Sequence, residues 1–455
     1  MLSDLTVLLY ILFLLFSIGA VAYQLWRRNW FDILPSLMWI ILMEVPFLIF
    51  WNRLVEGPRE LQAAGIVIVG AALLIGDQIK LRSQPPDFPQ PLKNSFFRFI
   101  AEYYVYLLLA FFIFIVSYHV LNLRQIPLIE KYFGHASTEQ LKVMREESSK
   151  LLDVPLVFKY LFTWTIVLIS PLTFLLLIRD KRYIGAWVFL SIAILYANIT
   201  LAQTFVLSML VSIGLTYLFA WKPKLNKILL LGFIGIILII GIRVLWFLSF
   251  NQYSLFKYQP QAVAIQKISF PAGDPRNRLT LADNYRLIPE AKLTKEEKVY
   301  NYLVYRVFLG PVDVSCRWYQ YYPKYSQGYY GVADLFKRDS GYVPPSRKLA
   351  LWAYTQKFPW KYLDSANAYA SLDADGYARL GFIGILVAAF ILLGFRIIFK
   401  VLLVDTMLSK ILYGIGVTLL AILPVQAGIQ AILIAHGVLM ISLLMMLPRF
   451  GLLVD

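Results

Sequence analysis

The sequence predicts an all-α polytopic membrane protein with about eleven transmembrane helices. One large, mainly helical segment between the eighth and ninth is expected outside the cytoplasm. Three observations predict this. Of 455 residues, 59% are hydrophobic and only 15% charged, with mean hydropathy +0.66, whereas soluble domains carry about a quarter charged residues. Apolar runs recur along the chain except over about 250–378, and roughly 20 such residues cross about 30 Å of hydrocarbon. Basic residues gather in alternate connections between the runs.

The expected spans lie near 5–23, 34–54, 63–79, 99–119, 155–178, 184–200, 202–220, 228–249, 380–400, 410–426 and 429–447. The first lacks a basic leader and a small-residue cleavage site, so it reads as a retained helix rather than a signal peptide. Arg27 and Arg28 follow span one; Lys80, Arg82, Lys93 and Arg98 precede span four. Arg179, Lys181 and Arg182 follow span five, Lys222, Lys224 and Lys227 follow span seven, and Lys400 and Lys410 separate spans nine and ten. All these loops fall on one side, which the positive-inside rule makes cytoplasmic. The N-terminus is then outside and the C-terminus inside. The chain divides into 1–249 with eight spans, the outer segment 250–379, and 380–455 with three spans.

The net charge of +16 and pI near 9.6 would suggest nucleic acid in a soluble chain. Here loop Lys and Arg account for much of it, and no recognition module is present, so no nucleic-acid partner is expected. The single cysteine, Cys316, excludes an intrachain disulfide and a cysteine metal site.

Segment 250–379 carries 18 Lys or Arg against 11 Asp or Glu and is dense in Tyr and Trp, as in Trp318-Tyr319-Gln320-Tyr321-Tyr322. It is too long for loop charge to set its side, so its own charge is free to serve function. One reading is a surface on anionic headgroups of the bilayer, with 299–312 and 345–363 as amphipathic interfacial helices. The other is a cavity whose guanidinium forks grip phosphate oxygens while aromatic rings stack on sugars.

Polar groups at membrane depth add candidates. Arg243, late in span eight, either holds a diphosphate from below or pairs with Glu44 or Asp77. His119 at the outer end of span four is either a general base or a structural imidazole. Asn198 and Gln203 flank a tight outer hairpin and bond either sugar hydroxyls or each other. Asp373-Ala-Asp375 matches a metal-holding D-x-D, but nucleotide sugars are absent outside the cytoplasm, so a solvated loop is expected. No metal site and no Walker, HExxH or Gly-x-Ser-x-Gly motif appears.

Several stretches resemble the Wzy-type oligosaccharide repeat-unit polymerases of bacterial surface polysaccharides, including the enterobacterial common antigen branch. They are the turn Arg27-Arg28-Asn29-Trp30-Phe31-Asp32-Ile33-Leu34-Pro35-Ser36, Tyr302-Leu303-Val304-Tyr305-Arg306, Tyr342-Val343-Pro344-Pro345-Ser346-Arg347, and Leu380-Gly381-Phe382-Ile383-Gly384. The tight hairpin and the single large outer segment before three last spans fit the same layout, and Arg317 with Gly328 fits an R-x10-G spacing seen in some members. The hairpin 196–203 lacks the arginine many members carry there.

The resemblance implies a GT-C-like membrane glycosyltransferase of the bacterial inner membrane, using no metal or cofactor. Donor and acceptor are polyprenyl-diphosphate-linked oligosaccharides, and a chain-length regulator is an implied partner. Arg306, Arg317 and Arg347 would stabilise the departing diphosphate. Arg243, Arg379, Arg338 and Tyr305 would help bind it, and Asp313, seven residues past Arg306, would orient or deprotonate the acceptor hydroxyl. Three other readings compete. An O-antigen ligase relies on a His in the large outer segment, but His119, His135 and His436 all lie elsewhere. A polyprenyl-phosphate-sugar enzyme usually carries an acidic pair in its first outer loop, matched here only by Glu56 and Glu60. A lipid-linked oligosaccharide transporter would show internal repeats, which are not evident. Reporter fusions should place residues 250–379 and the N-terminus on the non-cytoplasmic face, and a cytoplasmic signal from 250–379 would overturn the orientation.

Overall fold

The structure is a computed structural model that describes residues 2–26, 30–51, 54, 58–79, 95–123, 126–134, 144, 155–199, 203–223, 310–324, 326, 328–332, 345–346, 349 and 370–450. Among these residues every regular element is helical. Six helices are long and apolar enough to cross a membrane, and four shorter apolar helices accompany them. The chain is therefore a helical, multi-pass membrane protein. Rows of exposed apolar side chains point the same way. Leu15 and Phe16 are 61% and 65% exposed, Ile184 85% and Phe390 70%, a surface that suits lipid and not water.

The first helices are α1 (Leu2–Trp26), α2 (Leu34–Phe50), α3 (Pro58–Gln78) and α4 (Ser95–Asn122). A short α5 (Pro127–Tyr132) precedes α6, which runs from Leu156–Trp164 through Thr165–Ile169 into Ser170–Arg179. Then come α7 (Tyr183–Asn198) and α8 (Gln203–Trp221). The later helices are α9 (Gly310–Tyr321), α10 (Leu372–Leu380), α11 (Phe382–Leu402), α12 (Met407–Gln426) and α13 (Val438–Arg449). Helices thus stand at ten of the expected spans; the expected span 228–249 lies outside the described residues.

α2 and α6 each widen into one π-helical turn, at Ile40–Glu44 and Thr165–Ile169. In both, a proline follows two residues later, Pro46 and Pro171. A proline ring clashes with the carbonyl four residues back and offers no N–H, and a π turn absorbs that misfit. The widened turns keep the ladder closed, with Val45 N–H on Ile40 O and Ser170 N–H on Thr165 O. Side chains add to it: Tyr10 of α1 donates its hydroxyl to the Glu44 carbonyl at 3.0 Å, and Ser170 donates to Thr165 O at 2.6 Å.

Two compact units divide the chain. One comprises 1–79, 258–394 and 421–430; the other 80–257, 395–420 and 431–455. In the first, α1, α2 and α3 pack together, and α9 and α10 pack on α3. Its centre holds Met43, Phe47 and Ile66, fully buried, with Trp39 donating its indole N–H to Ile66 O at 3.1 Å. Ser36 donates to Asp77, and Gln24 to Gln78, tying α1 and α2 to the last turn of α3. In the second unit, α6 packs against α4, α7 and α8, and its Leu168 and Leu175 are fully buried. Phe112 meets Phe189 edge-on at 4.8 Å, and Trp164 donates to Ile434 O at 2.6 Å.

One expectation for the outer segment changes. Of 299–312 and 345–363, residues 310–312, which open α9, and 345, 346 and 349 are described; the rest of both stretches lies outside the described residues. Asp373-Ala-Asp375 is no solvated loop: it sits in α10, with Asp373 0% and Asp375 5% exposed. Neighbouring protein donors replace the water those carboxylates would otherwise need.

α10 passes into α11 at Gly381, whose φ of 64° and ψ of −144° suit glycine alone. The turn brings Gly384 against Gly376, so that a Cβ on Gly384 would stand 1.8 Å from the Gly376 carbonyl oxygen. Backbone cannot yield as a flexible side chain can. Gly384→Ala should cost about 3 kcal/mol of stability, read as a lower melting temperature of the purified protein in detergent; an unchanged value would refute this close approach.

Candidate functional site

Among the described residues, ionisable and phenolic side chains concentrate where α9 and α10 meet α3. Helix α9 opens with Gly310-Pro311, which suits a first turn, and Asp313 follows where a carboxylate complements the helix dipole. Its Oδ2 accepts from Arg317 Nη2 at 2.9 Å, one turn along. Arg317 is 4% exposed, so the pair is held in low dielectric where both charges feel each other strongly. Gln62 of α3 fixes the start of α9 by donating to Val312 O at 2.9 Å.

The facing side of α9 joins α10. Ser315 and Ser371 share a hydrogen bond at 2.6 Å, and Tyr319 donates to Asp373 Oδ2 at 2.9 Å. Gly65 of α3 makes room for that pair, since a Cβ there would come within 2.1 Å of the Tyr319 hydroxyl oxygen. Burial pushes the Asp373 carboxyl above the usual carboxylate range, against hydrogen bonds from Ser371, Tyr319 and backbone N–H groups that pull it down. Burial, then the Asp373 charge, holds the Tyr319 phenol well above its ordinary value.

Asp375 organises a second cluster. It accepts from Arg379 Nε at 3.0 Å, from the Ile429 backbone N–H at 2.9 Å and from the Tyr330 hydroxyl. Arg379 also donates to Gly331 O at 3.3 Å and lies 4.7 Å from the centre of the Tyr330 ring. The backbone of Tyr330 and Gly331 bonds the Ala378 and Arg379 carbonyls at 3.1 and 3.0 Å, so this strip closes the C-terminal end of α10. Tyr319, Tyr329 and Tyr377 pack ring on ring around it.

The structure thus brings Asp313, Arg317 and Arg379 into one unit. It holds His119 and Asn198 in the other, where each has a structural partner. His119 is 5% exposed, stacks on Phe162 at 4.1 Å and shares a 2.9 Å hydrogen bond with Tyr196. Asn198 donates to Ile194 O of its own helix at 2.9 Å. Gln203 begins α8, and its side chain lies outside the described residues, as do Arg243, Tyr305, Arg306, Arg338 and Arg347. Sequence reasoning missed Asp373, Asp375, Tyr319, Tyr330 and Gln62 as site residues. The i,i+4 spacings Asp313–Arg317 and Asp375–Arg379 were the available signal.

Asp375→Ala would strand a guanidinium and a buried N–H together and should cost about 3–5 kcal/mol. Tyr330→Phe removes one donor and should cost about 1 kcal/mol. Melting temperatures of the two purified variants check the order; equal losses would contradict the central place of Asp375. No family model, curated protein or solved structure matches the chain.

Proposed function

We propose that this chain is a membrane glycosyltransferase that polymerises polyprenyl-diphosphate-linked oligosaccharide repeat units into a surface polysaccharide. It works on the periplasmic side of a bacterial inner membrane, in a GT-C-like arrangement of about eleven spans with the N-terminus outside. The resemblance in the Tyr305-Arg306, Pro345-Ser346-Arg347 and Gly381–Gly384 stretches supports this reading. One structural observation carries it: Arg317 and Arg379, on adjoining helices, are each held by a carboxylate one turn earlier, and Arg379 lies over the Tyr330 ring. Guanidinium groups fixed in advance stabilise a leaving diphosphate without reorganising as its charge develops.

In the transfer, the acceptor hydroxyl oxygen bonds to the anomeric carbon of the donor chain as the bond from that carbon to the phosphate oxygen breaks. The electron pair leaves on the lipid diphosphate, whose charge Arg306, Arg317 and Arg347 are the first candidates to stabilise, with Arg243 and Arg379 as further candidates. The hydroxyl proton passes to a carboxylate, for which Asp313 is the candidate. Tyrosine rings offer stacking faces for sugars, and the lipid tails enter sideways between helices. His119 lies against Phe162 and Tyr196, which favours polymerisation over a ligase chemistry built on histidine.

Arg306→Ala and Arg317→Ala should reduce polymer formation on the order of 10²–10³-fold, the loss seen when one preorganised donor is removed. Gel profiles of the polysaccharide, with immunoblots of membrane protein, read the outcome. Arg317→Lys keeps the charge without the fork and should restore protein level more than polymer. Full-length polymer from both alanine variants at normal protein level would rule out this assignment.

A further inference from the structure

In the second unit, α6 gives way to α7 across Arg179-Asp180-Lys181-Arg182. Lys181 takes a left-handed φ of 59° there, and the Lys181 and Arg182 N–H groups donate to Ile178 O at 3.1 Å and Leu177 O at 2.9 Å. The turn is thus closed by its own backbone. Both arginines lean on α4. The Arg179 guanidinium lies 5.3 Å from the centre of the Tyr104 ring and that of Arg182 5.0 Å from the Tyr106 ring, and Arg182 also donates to the Tyr106 hydroxyl. Arg179 bonds Asp180 at 2.8 Å. The Tyr106 hydroxyl is neutral, so its bond cancels none of the Arg182 charge. Lys181 and Arg182 are exposed, as is Glu102, one turn before Tyr106 on α4. Three cations here stand against the two carboxylates of Asp180 and Glu102.

Apolar surface begins immediately beyond the turn. Ile184, Trp187 and Val188 of α7 are exposed, and so is Leu107 of α4. The two helices are joined by Phe112 on Phe189. Tyr103, Tyr106 and Tyr183 are exposed at the same level as the charges. Charge followed within two residues by lipid-suited side chains, with tyrosines at the boundary, puts the turn at headgroup depth.

We propose that Arg179, Lys181 and Arg182 form a binding site for the phosphodiester of an anionic phospholipid. Its acyl chains lie along Leu107, Ile184 and Val188. A guanidinium fork takes phosphate oxygens two at a time, and arginines already braced on rings lose less freedom when they bind. A zwitterionic headgroup carries an ammonium that the same cations repel, so the site selects by charge. In the orientation expected from loop charge, this end faces the cytoplasm. The site does not depend on the transfer chemistry proposed above.

The test uses the whole purified protein in nanodiscs of phosphatidylcholine with a minor share of phosphatidylglycerol. One lipid at a time carries a diazirine near the head of an acyl chain, at the same share, and mass spectrometry maps the adducts after illumination. Phosphatidylglycerol should label Leu107, Ile184, Trp187 or Val188 several-fold more than phosphatidylcholine does. Arg179→Gln/Arg182→Gln should abolish that preference. Lys222→Gln/Lys410→Gln removes as many charges elsewhere in the same unit and should keep it. Equal labelling by the two lipids in the wild type would overturn the site. An unchanged preference in the arginine variant, or an equal loss in the lysine variant, would do so too. If the arginine variant fails to fold, the two lipids compared on wild-type protein decide alone.

Discussion

A polar group removed from water is stable chiefly where it finds a partner inside the protein. In lipid or in a dry helix contact an unsatisfied N–H, carbonyl or charge costs more than most single contacts return. That constraint explains why the polar side chains of the first unit occur in linked sets. Gln62 holds a carbonyl of α9, Ser36 meets Asp77, and Asp375 gathers a guanidinium, a phenol and a backbone N–H. Removing one member of such a set exposes the others to the same penalty.

The same constraint shapes the backbone. Pro46 and Pro171 interrupt helices that must still close their hydrogen bonds, and each is preceded by a widened turn that does so, through Val45 N–H on Ile40 O and Ser170 N–H on Thr165 O. Between α10 and α11, glycine lets two helices turn sharply and touch backbone to backbone. The glycine-rich stretch that resembles a polymerase feature therefore has a physical task whichever reaction the protein performs. It sets α10, and with it Asp373, Asp375 and Arg379, at the end of a membrane helix.

Chemistry and support are hard to separate in such a site. Arg317 and Arg379 are each held by an acid one turn earlier, and Arg379 also lies over the Tyr330 ring and bonds Gly331 O, which restrains it as a binding site requires and also ties neighbouring elements together. Asp373 differs, because among the described residues its neighbours are hydroxyls and backbone N–H groups instead of a cation. The balance of burial and donors, rather than residue type, distinguishes two aspartates only two positions apart.

Sequence by itself determined the helical membrane class, because runs of apolar residues and scarce charge need no tertiary knowledge to interpret. It placed nine of the helices within a few residues, the last beginning only at Val438, behind a π turn at Ala431–Ala435, and it contained the i,i+4 pairs Asp313–Arg317 and Asp375–Arg379 as bare spacings. Only the tertiary structure decided that Asp373 and Asp375 are buried, that His119 is occupied by Tyr196 and Phe162, and that Gln62 reaches residue 312. These are contacts across tens to hundreds of residues, and local periodicity carries no information about which distant side chain will supply a partner. Burial of a polar residue depends on that partner, so it became legible only when the helices were packed.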